Sequence, residues 1–271
     1  MAITREPLDP TVSLWHFLAH HLRFVREQHG LSLAQWGRII GAARSTVSNI
    51  EANRRKIDDA QAKIIDDHCG TGRLFQVLLW FARTTHDPDW FRQYTQYEAE
   101  ADVIRAFQGQ VVPVLLQTDE YARAFLIAGD APEIEKAVGA RQARKDAILN
   151  RAEPPLLWVL LDEAVLDRPI GGPATMKAQL QHLIDMCGRR RVSIRVVPKS
   201  AGAHVGLDGS FQVMSLGSRD VAYVGALHGG RLIESTTEAR EYGLDYDRIG
   251  AKALSEDDSR TLMRRYLEDL P

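Results

Sequence analysis

Cysteine is nearly absent. Only Cys69 and Cys187 occur in 271 residues, far apart and in no metal-ligand or redox spacing. A disulfide-stapled scaffold and a cysteine-bound zinc are thereby excluded, and free thiols in a reducing compartment are expected. Long apolar runs are also missing. No stretch approaches the roughly 18 residues of a membrane-spanning helix. Nothing early in the chain resembles a signal peptide, so the expected location is the cytoplasm, away from any membrane. Neither sign of charge dominates: 34 Lys and Arg face 36 Asp and Glu, a net of −2. With 45% hydrophobic residues this is the composition of an ordinary folded protein of one large domain or two. Catalytic signatures are lacking too. There is no G-x-x-x-x-G-K, G-x-G-x-x-G, G-x-S-x-G or H-E-x-x-H.

What the chain does have is a local surplus of positive charge. From His20 to Lys56, seven cations (Arg23, Arg26, Arg38, Arg44, Arg54, Arg55, Lys56) face two anions (Glu27, Glu51), a net of +5. A basic face on a near-neutral chain is the electrostatic footprint of a DNA-binding domain. Inside it, Ser32 to Lys56 reads as two short helices joined by a tight turn. Ser32 and Gln35 have the spacing of a capping box for a helix over 33–40. Gly41 can adopt the left-handed backbone that ends it. A second helix starts near Ala43 or Arg44 and ends near 52–53. Val47 and Ile50, three apart, share its buried face. Arg44, Ser45, Ser48 and Asn49 then point outward, as a helix entering a major groove requires. Arg38, Arg54, Arg55 and Lys56 are the expected phosphate contacts, and Gln35 and Thr46 complete the candidate DNA-binding set.

The rest of the first part is helical. Residues 1–11 read as a loose arm, with Pro7 and Pro10 blocking a helix. Leu14, Phe17, Leu18, Leu22 and Val25 give one apolar stripe on a helix over 13–29. His16 and His20 lie one turn apart, but no third ligand accompanies them and no metal is expected. Further helices are expected over 57–68 and 73–83. The TTHDPD stretch at 84–89 reads as a domain break. A helix over about 90–107 follows, on the stripe of Trp90, Tyr94, Tyr97, Ala101 and Ile104. Thr118 caps another, and one more runs from 133 to about 150. The period then changes. Leu156–Leu161 and Val192–Val197 read as strands, separated by a helix that follows Gly171–Gly172–Pro173. Residues 210–216 and 221–224 read as a hairpin across 217–220, and 231–234 as a further strand. Two helices close the chain. The fold expected is mainly α with a smaller α+β part: a five-helix domain over 1–84 and an α+β domain over 90–271 with a small sheet.

Both halves carry a resemblance. GLS…GAARSTVSNIE resembles the helix-turn-helix of XRE-family regulators, the phage-repressor type. Gly30, Leu31, Ser32, Gly41, Ser45, Thr46, Val47, Ser48, Ile50 and Glu51 all match. Leu33 stands where that family has Gln, and Trp36–Gly37 where it has Leu-Ala. The resemblance pairs Glu51 with an Arg on the first helix, here Arg26, as a structural salt bridge. VPVLLQTDEYARAFL, ARQARKDAIL, LDEAVLDRPIGG, MKAQLQHL, RVVPKSAGAHVGLDGSF and ALSEDDS resemble the C-terminal domain of actinobacterial XRE regulators, the WhiJ-like, antitoxin-like proteins. Val114 departs, standing where that domain has Gly. The resemblance implies a transcriptional regulator whose C-terminal domain has no settled enzymatic activity, often encoded beside a small partner protein; no catalysis and no cofactor are expected.

Two regulatory readings follow. In the first, the C-terminal domain senses a small ligand. In the second, an antitoxin-like regulator binds a small protein encoded nearby. An enzyme is the third reading; it has only Asp162 and Glu163 as paired carboxylates, and those residues equally serve a turn. The candidate ligand groups are Glu163 at a strand end, with His204 and Asp208 in one glycine-containing loop. A double-stranded operator is the expected partner. A homodimer is the expected unit, because one recognition helix reads too little DNA alone.

Overall fold

The structure, a computed structural model, describes residues 8–84, 90–226 and 230–271. The chain divides into two compact units, Met1–Phe91 and Arg92–Pro271. Past Thr84, the expected break over 84–89 lies outside the described residues. So does the start of the expected arm, Pro7 included, whereas Pro10 stands in a turn.

The first unit is helical. It comprises α1 (Leu14–Gln28), α2 (Leu33–Ile39), α3 (Arg44–Glu51), α4 (Asp59–Cys69) and α5 (Leu74–Thr84). Local signals set most of the ends. The Ser13 hydroxyl accepts the His16 N–H and starts α1. Asp58 and Gln61 close a capping box on α4, and Gly70 ends it at φ +62°. The core gathers Trp15, Leu18, Leu22, Trp36, Val47, Ile50, Ile65, Phe75 and Leu79. One expectation fails on α1: Phe17 is exposed, and Trp15 takes the place in the core. The buried stripe is rotated toward Trp15, a choice that spacing alone left open.

Asp66 ties α4 to the start of α5. Its carboxylate accepts the Phe75 and Gln76 N–H groups at 2.9 and 3.0 Å, the Thr71 hydroxyl at 2.6 Å and the Gln76 amide at 3.1 Å. Burial pushes its pKa up, but these hydrogen bonds together outweigh it and hold the carboxyl below the ordinary Asp value.

The second unit carries a six-stranded mixed sheet in the order β3–β2–β1–β4–β5–β6. The strands are β1 (Val103–Gln108), β2 (Leu156–Asp162), β3 (Val192–Val197), β4 (Phe211–Leu216), β5 (Arg219–Val224) and β6 (Arg231–Ile233). β1, β2 and β3 run parallel; β4, β5 and β6 continue antiparallel from β1. The helices are α6 (Trp90–Glu100), whose first two residues fall in the first unit, α7 (Asp119–Ala128), α8 (Ile134–Leu149), the short α9 (Ala164–Asp167), α10 (Pro173–Met186), α11 (Thr236–Gly250) and α12 (Glu256–Asp269). Both sheet faces are buried at the centre, so β2 reads as a nearly unbroken apolar run. Phe107, Leu160, Phe211, Val213 and Ala222 share one face and pack with Tyr246 and Ile249 of α11. Arg195 on β3 donates to the carbonyls of Gly250, Ala253 and Leu254, satisfying the end of α11.

Two expectations are corrected here. The helix expected over 90–107 stops at Glu100, and Ile104 belongs to β1. β1 lies between β2 and β4, with ladder partners on both sides. Ala101 and Ile104 are both buried, one just after the helix and one in the strand, so their helical spacing was accidental. The hairpin turn is only Gly217–Ser218, with Gly217 at φ +58°, because Arg219 and Asp220 pair with Leu216 and Ser215.

Candidate nucleic-acid interface and a second cleft

The geometry of α2 and α3 grows from a few residues. Ser32 and Gln35 make both capping-box bonds at the start of α2. Gln35 is thus bound through its Oε1 to the Ser32 N–H and hydroxyl, at 2.9 and 2.7 Å. Gly41 turns the chain at φ +66°. The turn then folds back on α2, where the Ala42 N–H donates to the Gly37 carbonyl at 2.7 Å. A Cβ on Gly37 would stand 2.3 Å from the Ala42 oxygen, so this close return requires glycine there. Trp36, fully buried beside it, fills the core instead.

Val47 and Ile50 bury the inner face of α3. Arg44, Ser45, Ser48 and Asn49 are exposed, while Thr46 is half-buried. Ala43 precedes the helix with no side-chain cap, leaving the first N–H groups of α3 without that partner. After α3 the chain wraps tightly. The N–H groups of Arg54 and Arg55 both donate to the Asn49 carbonyl, at 2.8 and 3.2 Å, with Asn53 at φ +54°.

Ion pairing sorts the seven cations. Arg26 and Glu51 form a two-pronged pair, Nε to Oε1 at 2.5 Å and Nη2 to Oε2 at 2.8 Å. Their side chains are 11% and 8% exposed, and the Arg26 guanidinium also donates to the Leu31 carbonyl. The neighbouring Glu51 carboxylate raises the Arg26 pKa above its ordinary value. Arg23 pairs with Glu27. Lys56 turns inward: its ammonium lies 4.3 Å from the Trp15 ring centre and 2.9 Å from Asn53 Oδ1. Asn53 in turn contacts His16. Arg38, Arg44, Arg54 and Arg55 are exposed and make no ion pair among the described residues. Sequence spacing could not foresee the Trp15–Lys56 contact, because the partners lie on different elements.

In the second unit the three expected ligand groups do not converge. Glu163 spends both oxygens on structure. Oε1 accepts the Tyr266 hydroxyl at 2.9 Å, and Oε2 accepts the Lys199 N–H at 2.6 Å. His204 is buried edge-on against Phe107, with Nε2 3.3 Å from Asp162 Oδ2. That contact ties the 202–209 loop to the end of β2. Asp208 alone faces open space. It lines a cleft of about 320 Å³ with Val205, Phe211, Val224, Glu238, Glu241, Tyr242 and Asp245. Four of those residues come from α11, which sequence reasoning did not connect with the loop. Glu238, Glu241 and Asp245 fall at helical steps of three and four, and that periodicity is the signal that was available. Among the described residues no group of His, Cys, Asp and Glu is arranged to hold a metal. No described helix is long and apolar enough to cross a membrane.

No curated protein matches the sequence. The family described as Domain of unknown function (DUF5753) does match, over residues 91–265, which is well over half the chain and includes all six strands. The chain belongs to the DUF5753 family.

Proposed function

We propose that the protein is a sequence-specific DNA-binding transcriptional regulator and that the DUF5753 domain is its sensor. In this reading α2 and α3 are a helix-turn-helix of the XRE type, a kind of protein with which the family is associated. The observation that carries it is the sorting of charge. The acidic residues beside α3 are consumed internally, and four unpaired arginines remain exposed around a polar helix face. Glu51 on a DNA-facing surface would repel phosphate, and Arg26 neutralises it within the fold. Arg44, Ser45, Ser48 and Asn49 then read base edges, and Arg38, Arg54 and Arg55 hold phosphates. Lys56 has a mainly structural part, over Trp15.

The functional unit is a homodimer on a two-fold operator. A dimer doubles the contacts and places half-sites about one helical turn apart. The second unit offers a concave cleft of small-molecule size, which favours a small ligand over a protein as the signal. A ligand changes DNA affinity only by preferring one arrangement of the DNA-binding units over another.

Selection of duplexes from a random pool by the full chain, followed by titration of the selected sequence, tests the proposal. The expected outcome is a palindromic site bound by a dimer. Arg44→Ala should relax one base position and weaken binding by about 1–3 kcal/mol. A chain that enriches no sequence, or remains a monomer by light scattering with a footprint lacking two-fold symmetry, would refute the reading.

A further inference from the structure

We infer that the cleft between the 205–209 loop and α11 binds a small organic amine in its protonated form. The inference rests on the sensor reading and names the chemistry of its ligand. Four carboxylates line the cleft: Asp208, Glu238, Glu241 and Asp245. Two are already neutralised, Glu238 by Arg231 and Asp245 by Arg248. Asp208 and Glu241 have neither an ion pair nor a hydrogen bond among the described residues. Two negative charges thus face one concave space, and no cation among the described residues pairs with them.

The walls add a second requirement. Val224 and the half-buried Tyr242 give the cleft an apolar side, backed by the buried Phe211 ring, whose centre lies 5.5 Å from that of Tyr242. The Tyr242 hydroxyl also lacks a partner among the described residues. On the loop, Val205 lines the cleft and is 41% exposed, and the neighbouring Leu207 is 66% exposed. An inorganic cation would satisfy the carboxylates and leave these apolar surfaces wet. An alkylammonium satisfies both: its N–H groups reach carboxylate and hydroxyl oxygens, and its carbons cover the Tyr242 ring and the valines. A cleft of about 320 Å³ suits a molecule of this kind and falls well short of a protein interface. An anionic ligand is excluded by charge.

Calorimetric titration of the full chain with n-pentylamine and 1,5-diaminopentane, against 1-pentanol and pentanoate, tests this. Saturable binding of the amines is expected, with the diamine the tighter and the alcohol and the acid much weaker. Asp208→Asn and Glu241→Gln replace exposed carboxylates without changing shape, and each should weaken the amine about tenfold. Tyr242→Phe should weaken it less. Circular dichroism on each variant establishes that it is folded. Equal binding of pentanol, amine binding untouched by both carboxylate substitutions, or no saturable amine binding at millimolar concentration would each overturn the inference. DNA binding measured on the same preparation separates the two readings. A chain that binds its duplex and ignores amines loses only the amine site. One that binds the amine but no duplex loses only the DNA reading.

Discussion

Removing Glu51 exposes how the first unit is held together. The Arg26–Glu51 pair joins α1 to the last turn of α3, with both side chains about nine-tenths buried. In Glu51→Ala the Arg26 guanidinium keeps the Leu31 carbonyl and the Glu27 contact at 3.3 Å, but loses both short bonds. Breaking one side of a buried pair costs about 3–5 kcal/mol, because the remaining charge stays out of water. The Glu27 contact recovers part of this, since Glu27 is half-exposed and its attraction is screened. The expected net loss is about 3 kcal/mol, or roughly 12–24 °C in the melting temperature of a unit this size. Urea unfolding of the full chain, followed by fluorescence, reports on it, because Trp15 and Trp36 are both buried in this unit. The double substitution Arg26→Met with Glu51→Leu should cost less than Glu51→Ala alone, since no orphaned charge remains. A loss under about 1 kcal/mol for Glu51→Ala, the worth of a surface pair, would refute the reasoning.

Three further outcomes are expected. Arg54→Ala and Arg55→Ala should weaken specific and scrambled duplexes alike, and each should lower the salt slope by about one unit; an unchanged slope in titrations at several salt concentrations removes the phosphate assignment. Gly37→Val should destabilise the first unit by about 1–3 kcal/mol, because its Cβ meets the Ala42 carbonyl at 2.3 Å; an unchanged urea midpoint counts against the close turn. Asp66 has a folded pKa below its ordinary value. Its stabilisation is therefore present above the unfolded pKa of about 4 and is lost as pH falls through the lower folded value. Urea midpoints from neutral pH downward should fall in acid, and Asp66→Asn should be less stable at neutral pH with a shallower acid loss; parallel pH profiles would show that Asp66 does not contribute.

The chemistry that builds α2 and α3 is written locally. Ser32 and Gln35 close a cap three residues apart, Gly41 accepts a backbone that other residues resist, and Val47 and Ile50 fall on one helical face. Each signal acts within one or two turns, so it survives in the sequence without knowledge of the rest. The helix starts at Ser13, Thr118 and Ser255 were legible for the same reason. Contacts between distant segments were not. The strand at 103–108 exists because β2 and β4 supply its hydrogen bonds from residues 156–161 and 211–215. Glu163 became a structural tie because Tyr266, 103 residues later, donates to it. Asp208 left the expected trio with Glu163 and His204 and joined the acids of α11. A single sequence specifies such a cleft only through folding, because its walls come from a loop, a hairpin and a helix whose meeting is set by the packing of the whole sheet.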